Sequence, residues 1–229
     1  ASTLDVVLNS AVTIVDASKC KMYMKNFGEF FNNQIENAGT VVLSRTDVVD
    51  AAKVQQDVEL IREHNASASI VTTPCSQLSG AQLLEIIEKP DTMAEDLMRE
   101  VEERRAHEAE HDHEHHHHHH GEGECDDPEC ACHHHHHHAD EVFTSWGAET
   151  PKQFTQADID RILTALDSGE YGAILRAKGI VPAADGQWLH FDYVPQEHEV
   201  RYGAADYTGR LCVIGSQLKE DGLKTLFGL

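Results

Sequence analysis

The stretch 107–138, HEAEHDHEHHHHHHGEGECDDPECACHHHHHH, limits what this chain can fold into more than any other, because it cannot belong to a core. It holds two runs of six histidines, three cysteines and scattered carboxylates, with no Lys, no Arg and nothing large and apolar. So little burial-capable surface cannot offset the entropy of ordering the segment, which is therefore expected to be disordered unless something binds it. The flanking stretches must each supply a core of their own.

The composition of the segment points to a metal ion as its guest. Neutral imidazole and thiolate are the preferred ligands of zinc and its neighbours, and carboxylates complete a shell or orient a histidine from behind. His107, His111 and His115 recur every four residues, so they share one face if the preceding helix runs this far. Cys125, Cys130 and Cys132 form a C-x4-C-x-C cluster that Pro128 keeps out of regular helix, and His133 would bring it to four ligands. That spacing matches no standard zinc finger. The candidate ligands are His107, His111, His113, His115, His116, His117, His118, His119, His120, Cys125, Cys130, Cys132, His133, His134, His135, His136, His137 and His138. The metal expected is Zn2+, or else Co2+ or Ni2+, since such tracts discriminate poorly. Two plainer readings stand beside this one. A purification tag is opposed by the internal position and the flanking acids and cysteines; a solvated low-complexity spacer has metal affinity but no metal function.

The formal charge of −22, from 40 acids against 18 bases, argues against nucleic acid or anionic membrane as a partner and favours divalent cations. No apolar run approaches the ~18 residues of a membrane span, and the start does not resemble a signal peptide. A cytoplasmic protein is expected, in which the six cysteines are thiols and ligands rather than disulfides. The chain opens without methionine and is soon in a core-type strand, which reads as a piece of a longer polypeptide.

Patterning predicts an α/β first part. AVTIVDA at 11–17 is a β-branched run of the kind buried on both faces of a sheet. Met24, Phe27, Phe30, Phe31 and Ile35 then recur at helical spacing, as packing residues. TVVLS at 40–44 is a second buried strand, 51–65 an amphipathic helix through Val54, Val58 and Ile61, and SIVTT at 69–73 a third strand. Strand, helix, strand, helix, strand at these intervals means βαβ units and a parallel sheet. Residues 81–87 and 92–107 read as further helices, the second with a solvated Glu/Arg-rich end.

Functional residues of parallel sheets sit in loops past the carboxyl ends of strands, which after the second strand is Ser44-Arg45-Thr46-Asp47. A carboxylate there can accept from both N1–H and the exocyclic amine of guanine, a pair adenine lacks, while the stem of a preceding Arg lies over the purine. Asp47 can equally cap the helix near Ala51 or close the turn. Cys75, in Thr73-Pro74-Cys75 after the third strand, reads as a small packing residue, with a ligand role as the alternative.

The run QIENAGTVVLSRTDVVD at 34–50 resembles the guanine-recognition segment of the CobW-type GTPases, metal-handling members of the P-loop class, in which a strand leads into Asn-Lys-x-Asp. AVTIVDA resembles the strand before it. FTSW at 143–146, RAKG at 176–179 and LCVIGSQL at 211–218 resemble the CobW carboxy-terminal domain, and the family commonly joins its two domains by a histidine-rich linker. The resemblance implies that Ser44, Arg45 and Asp47 contact the base, with Ser44 standing where Asn is usual and Arg45 where Lys is usual. It also places Thr73-Pro74-Cys75 at the last guanine-contacting loop. No G-x-x-x-x-G-K-[ST] occurs in the sequence, and neither does the family's Cys-x-Cys-Cys metal motif, so GTP is expected as a ligand only of the intact protein.

In the last part, Thr155 opens a helix through Ile159, Ile162, Leu163 and Leu166 as N-cap, with Asp158 three residues on. WLHFDYV at 188–194, EVRYG at 199–203 and RLCVIG at 210–215 read as strands and 217–227 as a closing helix, giving an α+β domain with an antiparallel sheet. Arg176 and Lys178 could contact a nucleotide or the first domain, against a plain reading of solubility and a turn at Gly179; His190 and His198 read as strand and loop residues. The domains expected are 1–90, the second half of a P-loop-type, Rossmann-like GTPase domain; 91–140, a helix and metal-binding linker; and 141–229, the CobW carboxy-terminal domain. The function implied is the carboxy-terminal portion of a GTP-dependent metal chaperone or insertase serving a client metalloprotein, with no catalytic residue of its own and a homo-oligomer left open. The alternative is a metal storage or sensing module without nucleotide chemistry.

Overall fold

The computed structural model describes residues 9–88, 92–114 and 143–229. Most of the histidine-rich stretch, from His115 to His138, lies outside the described residues. The first unit contains strand β1 (Val12–Asp16), helix α1 (Cys20–Glu36), β2 (Thr40–Ser44), α2 (Ala51–His64), β3 (Ser69–Val71) and α3 (Gly80–Glu88). Its three strands are parallel in the order β1-β2-β3, with Ile14 opposite Val42 and Val41 opposite Ile70. One face buries Val15, Val41, Leu43 and Ile70 against Ile35 of α1 and Val54, Val58 and Ile61 of α2. That face is the core the βαβ pattern requires.

Two expectations fail here, one for want of a neighbour and one for a break in helix phase. β1 was expected to be buried on both faces, yet Val12 is 42% and Ile14 71% exposed, because β1 is an edge strand and α3 covers only Val42 and Val71 on that side. Phe30 was expected to pack and is 73% exposed. Gly28, at φ 22° and ψ −103°, breaks the helix, so its phase shifts and Met24, Phe31 and Ile35 reach the core while Phe30 turns out.

Helix α4 (Met93–Glu114) runs two turns past the expected end at His107 and carries the backbone of His107, His111 and His113. Beyond it lie β4 (Thr144–Thr150), α5 (Gln156–Leu166), β5 (Ala173–Pro182), β6 (Trp188–Val194), β7 (Glu197–Tyr202), β8 (Gly209–Ser216) and α6 (Glu220–Phe227). The five strands form an antiparallel sheet in the order β4-β8-β5-β6-β7. α5 and α6 pack on one face through Ile159, Ile162, Leu163, Leu223 and Phe227. α4 covers the other, with Leu97 and Val101 against Cys212 and Ile214. The start of α5 is a complete capping box, in which Thr155 Oγ1 accepts from Asp158 N at 3.1 Å and Thr155 N donates back to the Asp158 carboxylate at 3.0 Å. Gly179, expected at a turn, sits inside β5, where a Cβ would meet the Phe191 ring. Among the described residues no helix is long and apolar enough to cross a membrane.

Candidate functional site

The carboxyl ends of β2 and β3 converge on one cavity of ≈ 360 Å³, within the roughly 300–1,000 Å³ of small-molecule sites. β2 ends at Ser44 because Arg45 takes a left-handed backbone, φ 62° and ψ 30°, which turns the chain into a single 3-10 turn, Thr46–Val48. That turn places the exposed Asp47 at the cavity, beside Thr46. Asp47 does not cap α2. Asp50 does, accepting from Lys53 N at 2.7 Å, which leaves the Asp47 carboxylate with no hydrogen bond or ion pair among the described residues.

The other two residues of the expected trio are engaged elsewhere. Ser44 Oγ donates to the Val15 carbonyl at 3.2 Å, stapling β2 to β1. Arg45 Nη1 stands 3.5 Å from Asp16 Oδ2, across the strand ends from the cavity. Hydrogen bonds from Ser18 hold the Asp16 carboxyl below its ordinary range, and the Arg45 charge adds to this. The Arg45 side chain is 62% exposed, so this ion pair is a weak tether.

A buried cluster supports the floor of the turn. Lys53 Nζ donates to the Ala17 carbonyl at 3.1 Å and pairs with the fully buried Asp57. Burial raises the Asp57 carboxyl despite that partner, and burial together with the Asp57 charge pushes the Cys20 thiol up to about 12. Cys20 is therefore a neutral packing residue and no nucleophile. Cys75, expected to pack, is exposed at the start of the 3-10 turn Cys75–Gln77, because Pro74 turns the chain outward past β3.

Three features escaped the sequence. Thr46 is 8% exposed, and its hydroxyl, at the cavity, has no hydrogen-bond partner. The far wall of the cavity comes from the second unit, through Gln153, Gln187 and Trp188. Tyr207, 5% exposed, docks the units together: Thr72 N and Thr73 N both donate to its carbonyl at 2.9 and 3.0 Å, and its hydroxyl donates to Glu149 at 3.0 Å. Glu149 in turn pairs with Arg62 of α2. Groups from 58 to more than 100 residues apart meet here, and no local pattern announces that. Arg176, by contrast, holds Asp192 at 3.2 Å and Glu100 of α4 at 3.7 Å and does not line the cavity. His190 and His198 lie on β6 and β7, His198 Nε2 3.6 Å from Asp160. Among the described residues no group of three or more His, Cys, Asp or Glu could hold a metal.

A parallel α/β unit with a ligand cavity past its strands, docked on an antiparallel α+β unit, defines the class. Residues 2–72 match the CobW/HypB/UreG nucleotide-binding domain, and residues 143–228 match the cobalamin synthesis protein cobW C-terminal domain. The chain belongs to the CobW family. Among solved structures it is similar to Zn(II)-bound YjiA GTPase from E. coli, 17% identical, covering 97% of this chain and 61% of that one at a TM-score of 0.34. A Zn(II)-bound triple mutant of YjiA GTPase is 16% identical, with the same coverage and TM-score. The chain thus spans 61% of the length of these structures. No curated protein matches it.

Proposed function

We propose that this chain reads a guanine base with Asp47 and holds divalent transition metal on 107–138, as the base-reading and carboxy-terminal portion of a GTP-dependent metal chaperone or insertase. The observation that carries the reading is the Asp47 carboxylate, freed from capping by Asp50 and set at a cavity beside the unpartnered hydroxyl of Thr46. A carboxylate there accepts from guanine N1–H and the exocyclic amine together, which no adenine can satisfy. The weakly tethered Arg45 can swing its stem over the purine. Phosphate and magnesium contacts are not supplied by these residues, so nucleotide affinity is low and GTP turnover by this chain stays at background.

The metal belongs to the histidine- and cysteine-rich stretch, since the described residues offer no cluster for it. In the whole protein, nucleotide binding and hydrolysis would gate delivery of zinc, cobalt or nickel to a client.

The base reading is tested by comparing guanosine and xanthosine monophosphate on the full chain and on Asp47→Asn. The carboxylate prefers guanine by about tenfold or more, whereas an amide donates to the 2-oxo group of xanthine and reverses the preference. An Asp47→Asn chain that kept the wild-type preference would show that Asp47 does not face the base.

A further inference from the structure

We infer that the second unit supplies half of the base site, with Gln153 and Gln187 as specificity-determining contacts to the nucleobase; this rests on the Asp47 reading. The cavity is composite. Asp47, Thr46 and Thr73 form one wall, and Gln153, Gln187 and Trp188 the other.

The second wall is built, not a loose loop. Phe154, 2% exposed, bridges to Ala183: its N donates to the Pro182 carbonyl at 2.9 Å and its carbonyl accepts from Ala184 N at 3.0 Å. This bolts the segment between β4 and α5 that carries Gln153 to the β5–β6 turn that carries Gln187. The turn closes on itself through Ala183 N to the Gln187 carbonyl at 2.8 Å and Gly186 N to the Ala183 carbonyl at 3.1 Å. Gly186 adopts φ 84°, which a side chain would oppose.

The two walls are also held at a fixed spacing. The amides of Thr72 and Thr73 converge on the Tyr207 carbonyl, the Thr73 hydroxyl donates to the Asp206 carbonyl, and the Thr72 and Thr208 hydroxyls lie 2.8 Å apart. Those threonines are at most 6% exposed, so the joint is dry and strong. A ligand between the walls therefore touches both units at once. Amide side chains both donate and accept, which suits the mixed edge of a purine; Gln153 and Gln187 are exposed residues of the cavity lining, beside the buried Trp188, and the Gln187 amide is held only by an exposed 3.2 Å bond from its nitrogen to Asp185, leaving its oxygen without a partner among the described residues.

The test is an NMR titration of the full chain with guanosine monophosphate at millimolar concentration, following amides of both walls and the Trp188 indole N–H. The wild-type chain is expected to shift signals on both walls with one affinity, weakened about fivefold by Gln153→Ala and by Gln187→Ala and abolished by Asp47→Asn. Unchanged melting of the glutamine variants, both exposed positions, keeps misfolding out of the comparison. Shifts confined to Thr46, Asp47 and Thr73, with both glutamine variants binding as wild type, would overturn the composite site and leave the Asp47 reading standing. No shift on either wall would overturn both.

Discussion

The two sheets were built from similar apolar runs and ended differently. In the antiparallel sheet both faces are covered, by α5 and α6 on one side and α4 on the other, and Phe191 and Val213 are fully buried. In the parallel sheet one face is packed and the other only partly, so that Ile14, on the same face as Val42, is 71% exposed. A β-branched run states only that a strand can be buried twice over. The neighbours decide whether it is. Among the described residues β1 is an edge strand, of the kind that pairs with another strand, and the sheet of the first unit is open there.

That contrast gives its own tests. Phe191→Ala should cost the second unit about 3–5 kcal/mol in chemical denaturation, since the ring is fully buried and stacks on Phe227 at 6.4 Å. Ile14→Ala should fall within about 0.5 kcal/mol of wild type. A loss at Ile14 as large as at Phe191 would mean that β1 is covered after all. Gly179→Ala should cost about 1–3 kcal/mol, because its Cβ meets the Phe191 ring and stands 3.1 Å from the Arg210 carbonyl.

The joint between the units predicts a smaller effect. Tyr207→Phe removes the bond to Glu149 and keeps the ring among Val42, Val71 and Leu78, so about 1 kcal/mol should be lost. The amides of Thr72 and Thr73 should stay protected in hydrogen exchange, because they bind the Tyr207 carbonyl. Rapid exchange at both would show that the joint depends on the hydroxyl.

Alkaline pH tests one buried group in each unit, the Cys20 thiol of the first and the Tyr193 phenol of the second, both raised mainly by burial. Cys20 is raised in the folded state, so its neutral thiol contributes stability that is fully present below the unfolded value of 9.0 and is lost as pH climbs towards about 12. Melting followed across that window should show the first unit weakening, and Cys20→Ala should flatten that pH dependence. An identical slope in the variant would assign the loss to other groups.

How much of this was legible follows from the range of each signal. Strands β2, β6 and β8, helices α2 and α5, and the Thr155 cap were readable because their periodicity and capping are local. The Ser44–Asp47 loop was readable for the same reason, as a short motif past a strand. What was not readable depended on distance along the chain. Thr46 shares a cavity with Gln187, Tyr207 meets Thr72, and Arg62 meets Glu149 only after the units dock. Phe30 was misplaced because a helical wheel assumes constant phase, and Gly28 resets it. β4 gave no clean alternation, since only Trp146 among its inward residues is large and apolar, and the outward Gly147 and Glu149 are a residue without a side chain and a partner in the joint.

On the proposed function labour is divided: the folded units would hold the base, and the stretch 107–138 the metal. Free histidines protonate with a reference pKa of about 6.5, so histidine-held zinc should leave between pH ~7.5 and ~5.5, with a cysteine-dependent remainder lost in Cys125, Cys130 and Cys132→Ser variants. The most direct measurement is zinc titration calorimetry at neutral pH on the full chain and on a chain with 107–138 deleted. The full chain should bind several zinc ions, and the deleted chain should lose most of them while its guanine preference and melting stay as they were. An unchanged zinc stoichiometry after the deletion would contradict the division and move the metal sites into the folded units.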